Sequence, residues 1–333
     1  MPQPIHVVAL GGGGGASQVL RAAQPFAQRL TAIIAVTDTG RSTGLARTIG
    51  GIPAPGDLRA TIAAFATDPL VAELLQHRFG GAGIPQLEGM AFGNLLLAAL
   101  ARVLGDFDAA VRYVAQLAGS SVEVLPVGSA NTDLCAELAD GSQVIGELQV
   151  RGLHKPPIRR LFLREPAPAS PAALEAIRAA DLVALGPGSL FTSVLANLQF
   201  EGVAEAICAA RGTVVFVCNT TTQPGQTDGL SALDHVRELV AALGPGALDV
   251  ALINRSPIAP ERRARYAAEG LHLLEPDAAE LAAVAALGVR SIVRDYSEPA
   301  GDQRVLWNKQ DTVRHDTAAL GAALRELVGL KRS

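Results

Sequence analysis

Short apolar runs rich in β-branched residues recur along the chain, and each is followed by a glycine or polar turn and then by a stretch of helical period. These runs cover residues 5–10, 31–36, 181–185, 214–218 and 248–253. Alternation of strand and helix is the repeating unit of a parallel sheet. The pattern therefore predicts an α/β fold, a doubly wound and mostly parallel sheet with helices on both faces.

The stretch between the second and third of these runs departs from the alternation. Its first half has helical period throughout, whereas residues 122–150 alternate in the way a β-hairpin or a small antiparallel insert does. Prolines are frequent over residues 156–171 and favour an irregular connector there. Helical and small β insertions are therefore expected within the parallel fold.

A length of 333 residues suits two ordinary domains or one large α/β domain with additions. Because the strand and helix units continue almost to the end of the chain, we predict a single α/β domain over residues 1–300. The helical and β insertion covers about residues 60–170. Residues 301–333 are predicted to form a helical extension packed on that domain.

Composition narrows the classes of function. Hydrophobic residues make up 49% of the chain and charged residues 18%, which excludes a disordered protein. The net charge of −4 gives no electrostatic reason for binding nucleic acid. The longest apolar helix candidate, residues 91–104, is shorter than the roughly 20 residues that a bilayer crossing needs, so membrane insertion is not expected.

Three cysteines without a CxxC pair favour a reducing compartment, so a cytoplasmic protein is expected. The apolar bias permits a homodimer without specifying its surface, and nothing identifies a protein partner. The six histidines show no metal-ligand spacing, and no G-x-S-x-G elbow is present. The residues themselves establish no cofactor, and Mg²⁺ stays open as one.

Polar loops follow the predicted strands. In open parallel sheets the ligand crevice lies beyond the carboxyl ends of the strands. Residues 11–15 are five glycines between a strand and a helix, where free amides and the helix dipole can approach a phosphate. A plain tight turn is the alternative. The loop lacks a P-loop lysine and fits the dinucleotide G-x-G-x-x-A spacing only through Gly11, Gly13 and Ala16.

Three further loops offer matching chemistry. Residues 186–193 repeat the sequence of strand, glycine turn and helix start, which makes a second anion site or a capped helix. Residues 37–44 carry one carboxylate, one guanidinium and several hydroxyls, which suit a ribose, a metal ion or a phosphate, or satisfy only their own backbone. Residues 219–225 offer amides and hydroxyls that suit a base or sugar edge, or form a solvated loop.

Five motifs in order resemble the YvcK/CofD-like family of bacterial proteins, and the match covers about the first 240 residues. They are VVALGGGGG at residues 7–15, IPAPGDLR at 52–59, FGNLL at 92–96, LGPGSLFTS at 185–193 and VCNTTTQPG at 217–225. The resemblance implies a Rossmann-like, CofD-like domain that holds a nucleotide diphosphate between two helix N-termini.

Two functions follow from the resemblance. YvcK-type relatives are gluconeogenesis factors, cytoplasmic regulatory proteins that bind a UDP-sugar and affect cell-wall synthesis and cell shape. CofD-type relatives are 2-phospho-L-lactate transferases, which move a phospholactyl group from a guanylyl-activated donor to a deazaflavin alcohol with Mg²⁺. The first is the expected function, and the second is the alternative.

The family pattern Asp-Asp-Gly-Gly-Ser-Ser-Gly is altered in this chain. Thr39 replaces the second aspartate, and Arg41 replaces a glycine. Losing a carboxylate while gaining a guanidinium favours direct phosphate pairing over Mg²⁺ coordination. Gly14 also stands where threonine is common.

The loops and the resemblance together define the predicted site. If the protein is a transferase, Asp38 and Asp57 are the catalytic residues and the Mg²⁺ ligands. The predicted contacts to a nucleotide or nucleotide-sugar are Gly11, Gly12, Gly13, Gly15, Ser17, Thr39, Gly40, Arg41, Ser42, Arg59, Asn94, Gly186, Gly188, Ser189, Thr192, Ser193, Asn219, Thr222 and Gln223.

Overall fold

A computed structural model describes residues 4–81, 83–85, 87–298 and 314–330, except for the side chain of Arg41. The strands of this part are β1 (His6–Gly11), β2 (Arg29–Ile34), β3 (Glu123–Pro126), β4 (Leu134–Leu138), β5 (Gln143–Ile145), β6 (Ile158–Leu163), β7 (Leu182–Leu185), β8 (Thr213–Val217), β9 (Val250–Asn254) and β10 (Arg290–Arg294).

The helices of the amino-terminal half are α1 (Gly13–Ala23), α2 (Arg41–Gly50), α3 (Gly56–Ala64), α4 (Pro69–Gln76), α5 (Phe92–Leu104), α6 (Phe107–Leu117) and α7 (Glu147–Val150). Those that follow are α8 (Pro171–Ala179), α9 (Leu195–Asn197), α10 (Val203–Cys208), α11 (Ala232–Leu243), α12 (Pro260–Ala268), α13 (Ala278–Ala286) and α14 (Thr317–Leu327). A π-helical turn, Leu190–Val194, lies between β7 and α9.

Seven strands form one parallel sheet in the order β10-β9-β8-β7-β1-β2-β3. The chain first builds the sheet outward from β1 through β2 to β3, then returns to β7 on the other side of β1. The direction of strand order therefore reverses between β1 and β7, where Leu10 pairs with Leu185. The predicted doubly wound α/β fold is confirmed, and this switch point is where such sheets bind ligands.

The insertion differs from the expectation in two places. Residues 123–126, expected in the antiparallel insert, form β3 and extend the main sheet beside β2. The small antiparallel sheet has the order β5-β4-β6, and its third strand lies in the proline-rich segment that was expected to be a connector. Prolines bracket β6 without entering it, so its amides stay free to pair with β4.

The five-glycine turn is also shorter than expected. Helix α1 begins at Gly13, so only Gly12 separates it from the end of β1. An added Cβ at Gly15 would lie 1.6 Å from the carbonyl oxygen of Pro187, in the turn that follows β7. In that turn Gly186 has φ of 78° and Gly188 has φ of 143°, conformations that favour glycine. The two predicted glycine turns are therefore in direct contact.

The carboxyl-terminal helix α14 packs on α1, where an added Cβ at Gly321 would meet the carbonyl oxygen of Ala22 at 2.5 Å. Residues 301–313 and 331–333 of the predicted extension lie outside the described residues. Within the described part, every helix is too short or too polar to cross a bilayer.

The amino end of β1 holds a buried histidine that generates a pH prediction. His6 Nε2 lies 2.9 Å from the Thr31 hydroxyl, and burial lowers the His6 pKa from 6.5 to about 4. The pKa of His6 is lower in the folded chain than in the unfolded chain, so folding favours the neutral imidazole. The stability gained from burying neutral His6 is therefore complete above pH 6.5 and is lost as the pH falls toward 4. We expect His6 to remove about 1–2 kcal/mol of unfolding free energy between pH 7 and pH 5.

Urea unfolding at the two pH values measures this loss. His6→Gln should show a smaller difference between pH 7 and pH 5 than the wild type, whatever its stability at pH 7. An unchanged difference would contradict the assignment.

The contact between the two glycine turns generates a second prediction. Gly15→Ala would force backbone against backbone at Pro187, so we expect a loss of about 3 kcal/mol or more. Gly14→Ala is the matched control, because the added Cβ meets no described atom within 4 Å beyond its chain neighbours and the backbone of its own helix. We expect the control to be neutral or stabilising by up to ~1 kcal/mol. Chemical denaturation compares the two variants, and equal stabilities would contradict the close contact.

Candidate functional site

The amino end of α1 carries amides that are only partly used. No side chain caps the helix from its N-cap residue Gly12. The Gly13 amide donates to Asp57 Oδ2 at 2.9 Å, and burial raises the pKa of Asp57. No described residue accepts a hydrogen bond from the amides of Gly14 or Gly15. Two amides at the positive end of a helix thus remain available to an anion.

The turn after β7 faces the same place. An added Cβ at Gly12 would lie 2.8 Å from Ser193 Oγ and 2.9 Å from Asp57 Oδ2, which brings these groups around one backbone position. Ser189 is already engaged, because its hydroxyl donates to Gln226 Oε1 at 2.6 Å and accepts from Thr192 Oγ1 at 2.8 Å. Its role is to cap the π-helical turn.

The loop after β8 borders this region. Asn219 Nδ2 donates to the carbonyl of Gly188 at 2.6 Å, and this contact fixes the orientation of the amide. Its Oδ1, like Gln223 Oε1, is buried and has no hydrogen-bond partner among the residues that the structure describes. Thr222 is tied to a neighbouring segment, because its Oγ1 accepts from the His272 amide at 2.9 Å. The loop therefore presents two unused acceptors and one hydroxyl in structural use.

The segment between α7 and β6 closes over the β8 loop. An added Cβ at Gly225 would lie 2.7 Å from the carbonyl oxygen of Arg151 and 2.6 Å from that of Gly152. Lys155 Nζ donates to the carbonyl of Gly225, and burial lowers the pKa of Lys155. A ligand that reaches the loop must therefore displace or pass these contacts.

A second polar cluster lies at the amino end of α2. Ser42 Oγ accepts from Asn94 Nδ2 at 3.0 Å and from Arg78 at 3.2 Å. Arg59 Nε donates to Asn94 Oδ1 at 3.1 Å, and the Arg59 guanidinium also donates to the Gln76 side chain. Burial, with Arg78 nearby, lowers the pKa of Arg59 to about 10. The groups that accept hydrogen bonds from Arg59 and Arg78 are neutral, so the two guanidinium groups keep positive charge beside α2.

Asp38 lies in the loop between β2 and α2, where its Oδ1 accepts from the Gly40 amide at 2.8 Å. The neighbouring Thr39 Oγ1 accepts from the Leu148 amide of α7 at 3.2 Å. This contact brings Glu147 to the loop, and burial together with the Asp38 carboxylate raises the pKa of Glu147 to about 7. Asp38 is therefore near enough to raise the pKa of both Asp57 and Glu147.

Arg47 holds the Asp38 loop to the segment that leads into the small sheet. Its buried guanidinium donates to Asn131 Oδ1 at 3.0 Å and to Asp133 Oδ1 at 3.1 Å. It also donates to the carbonyl of Asp38 at 3.4 Å. A buried charge paired in this way fixes both segments, since breaking the pair would leave an uncompensated ion.

The structure brings most predicted residues into two adjoining groups, which Asp57 links. The switch-point group contains Gly12, Gly13, Gly15, Asp57, Gly186, Gly188, Ser189, Thr192, Ser193 and Asn219. The α2 group contains Asp38, Thr39, Gly40, Ser42, Arg59 and Asn94.

Other predicted residues lie at the edges of these groups. Ser17 is buried within α1, and the carbonyl of Gly11 accepts from Asn197 Nδ2 at 3.3 Å. Thr222 and Gln223 lie on the β8 loop. The side chain of Arg41 falls outside the described part of the chain.

Sequence reasoning missed Glu147, Arg78 and Gln226. Glu147 lies in a segment whose alternation indicated only a hairpin, and Arg78 follows α4 without any motif around it. Gln226 directly follows the last matched motif, so its proximity to a motif was the one available signal.

A metal ion would need additional ligands at this site. Within the residues that the structure describes, no group of three or more His, Cys, Asp and Glu side chains is arranged to hold one. The donor chemistry nevertheless suits Mg²⁺, because Asp38 acts on Glu147, and no donor among the described residues bonds the buried Oε2 of Glu147. Carboxylate oxygens are the protein ligands that this ion prefers.

Two surface hollows lie elsewhere. One, of about 510 Å³, is lined by α13 and β10, and the other, of about 560 Å³, is lined by α10 and α11. Neither gathers the uncapped amides and unpartnered polar atoms found at the switch point. The chemistry therefore favours the switch point over these two hollows as the ligand site.

Comparison with known proteins agrees with this arrangement. A solved structure of a Bacillus halodurans protein, described as a member of the UPF0052 family, matches with a TM-score of 0.87 and 34% identity. The match covers 98% of this chain and 100% of that one. A second structure of the Bacillus halodurans protein gives a TM-score of 0.86 and 35% identity over 97% of this chain and 100% of that one.

Sequence relatives extend over nearly the full length. The chain is 36% identical to the gluconeogenesis factor of Bacillus subtilis (strain 168) over 330 residues, or 98% of this chain and 99% of the relative. It is 38% identical to the gluconeogenesis factor of Halalkalibacterium halodurans over 325 residues, 96% of each. The family model described as 2-phospho-L-lactate transferase CofD matches residues 7–296. The resemblance of the five motifs is thereby confirmed, and the chain belongs to the YvcK/CofD-like family.

Proposed function

We propose that this protein is a nucleotide-sugar-binding regulatory protein of the gluconeogenesis-factor type, which binds a UDP-sugar and acts in the cytoplasm on cell-wall synthesis and cell shape. The observation that carries the proposal is the contact between the α1 amino end and the β7 turn at the switch point. Two near-full-length relatives named gluconeogenesis factors support the choice of regulatory class.

The diphosphate would lie against the amides of Gly14 and Gly15. These amides lie in the first turn of α1, where the helix dipole adds a favourable field for an anion. Ser193 Oγ faces the same backbone position from the β7 turn. A diphosphate has enough oxygens to bond both elements, whereas a neutral ligand would leave the amides without charged acceptors.

The base or sugar would be recognised at the β8 loop. Asn219 Oδ1 and Gln223 Oε1 are unpartnered acceptors, so the ligand group they contact must donate hydrogen bonds. A uracil N3–H or a sugar hydroxyl meets this requirement. Because both atoms are buried, a ligand would have to displace neighbouring residues to reach them.

Calorimetry with UDP-N-acetylglucosamine, GDP and NAD tests the proposal. We expect the uridine compound to bind and Gln223→Met to weaken it by about tenfold, because one acceptor to the ligand is lost. Gln199→Met is the matched control, since that amide lies just after α9 and donates to the carbonyl of Leu195 in that helix. Absence of heat with any uridine compound would reject the UDP-sugar proposal.

Phospholactyl transfer is the second candidate, and the family model over residues 7–296 favours it. In that case Asp38 and Asp57 would hold Mg²⁺ or orient the acceptor hydroxyl. The bound ion would offset the charge of the donor diphosphate. Arg59, with its buried guanidinium, and Arg41 would stabilise charge on the transferred group.

A steady-state assay with the guanylyl-activated donor and a deazaflavin alcohol tests this candidate. A transferase should form product, and Asp38→Asn and Asp57→Asn should each reduce the rate by about 100-fold or more. Equal background product from the wild type and both variants would discard the transferase.

A further inference from the structure

A fully buried side-chain amide at the switch point, that of Asn197, was predicted by no motif. Asn197 ends α9 and is 0% exposed. Its Nδ2 donates to the carbonyl of Ser193 at 2.7 Å and to the carbonyl of Gly11 at 3.3 Å. Both hydrogens of the side-chain nitrogen are thereby used. The amide therefore joins the π-helical turn after β7 to the end of β1.

Packing alone does not account for an amide at this position. The sequence neighbours Leu195, Ala196 and Leu198 are buried and apolar, so an apolar side chain would suit the surroundings. Asn197 Oδ1 is buried and has no hydrogen-bond partner in the described part of the chain. A buried polar atom without a partner costs stability. The benefit that offsets this cost must lie in the two carbonyls that the amide holds.

The bond to Gly11 fixes the direction of the next backbone amide. The Gly11 carbonyl also accepts from the amide of Ala35, which follows β2, at 3.0 Å. Two donors therefore hold this carbonyl in place. The peptide bond from Gly11 to Gly12 is planar and trans, so the Gly12 N–H points opposite to that carbonyl. It points away from β2, toward the side of β1 on which β7 lies.

The Gly12 amide is not used within the described part of the protein. Strand β7 ends at Leu185, which pairs with Leu10, so the ladder between the two strands stops before Gly12. No described residue accepts a hydrogen bond from this N–H, although Gly12 is buried. Buried backbone N–H groups are nearly always paired, so an unpaired one at a ligand crevice indicates an acceptor on the ligand.

The bond to Ser193 holds a hydroxyl beside the same amide. Ser193 lies in the π-helical turn, a conformation that is frequent at functional sites. Its Oγ lies 2.8 Å from the position that a Cβ on Gly12 would take. Because Asn197 bonds the Ser193 carbonyl, the backbone that carries this hydroxyl is held relative to β1. One side chain therefore fixes a donor on each of the two turns.

We propose that Asn197 is a positioning residue, which aims the Gly12 amide and the Ser193 hydroxyl at the diphosphate of the bound nucleotide-sugar. The proposal rests on the proposed nucleotide function, and it adds the Gly12 amide to those of Gly14 and Gly15. Asn197 has no donor left for a ligand, so it acts through the backbone that it holds.

Calorimetry with UDP-N-acetylglucosamine tests the proposal on Asn197→Leu, which keeps the approximate size of the side chain and removes its donors. We expect the affinity to fall by about tenfold or more, because hydrogen bonds to a charged group are worth this much. Thr213→Val is the matched control and should bind like the wild type. Thr213 is also buried, but its hydroxyl donates to the carbonyl of Leu327 at 2.9 Å, at the amino end of β8 and away from the site.

Nuclear magnetic resonance of protein labelled with isotopic glycine gives a readout that a merely structural role would not move. In the wild type, UDP-N-acetylglucosamine should shift the Gly12 amide proton downfield, as a new bond to phosphate does. In Asn197→Leu at saturating ligand, this shift should be smaller. Asn197→Asp, which has the same shape and no donor, is the second variant if Asn197→Leu does not fold.

The outcomes separate this inference from the function on which it rests. Equal affinity of a folded Asn197 variant and the wild type would overturn the proposal. A wild-type Gly12 amide that does not move when UDP-N-acetylglucosamine binds would also overturn it, whether or not the variants fold. A wild type that fails to bind UDP-N-acetylglucosamine would instead reject the proposed function.

Discussion

The contact between Gly15 and Pro187 determines what the switch point can do. A side chain at residue 15 would separate α1 from the β7 turn, because the carbonyl of Pro187 occupies the position of its Cβ. Because residue 15 is glycine, α1 and the β7 turn touch, and the amides of the first turn of α1 lie in the same region as Ser193. The parallel sheet supplies the frame, since β1 and β7 are neighbours at the point where strand order reverses.

Some groups at the site favour a bound anion, and others oppose it. The amino end of α1 and the cluster of Arg59 with Arg78 favour an anion, whereas Asp38, Asp57 and Glu147 oppose one. Asp57 already takes up one of these amides, because its Oδ2 accepts from the Gly13 amide. A phosphate-bearing ligand therefore gains from the amides and arginines and needs a counter-charge near the acids.

Much of the fold and part of the candidate site could be predicted from the sequence. The β-branched runs gave the parallel strands, and their carboxyl ends necessarily share one edge, so the loops at Gly12, Gly188 and Asn219 were expected to meet. The alternation of residues 122–150 could not distinguish β3, an edge strand of the main sheet, from the hairpin beside it. Both patterns have a period of two residues.

The part of the site that the sequence did not predict depends on contacts between segments that are far apart in the chain. Glu147 reaches Asp38 because α7 is held at Thr39, more than a hundred residues earlier in the chain. Its unpartnered oxygen is visible only once burial is known.

A crystal structure of the protein with UDP-N-acetylglucosamine and Mg²⁺ tests the central claim most directly. The account predicts diphosphate oxygens within about 3 Å of the amides of Gly14 and Gly15, with the β7 turn on the other side. A diphosphate bound away from the β1 and β7 turns, for instance in the hollow between α13 and β10, would contradict it.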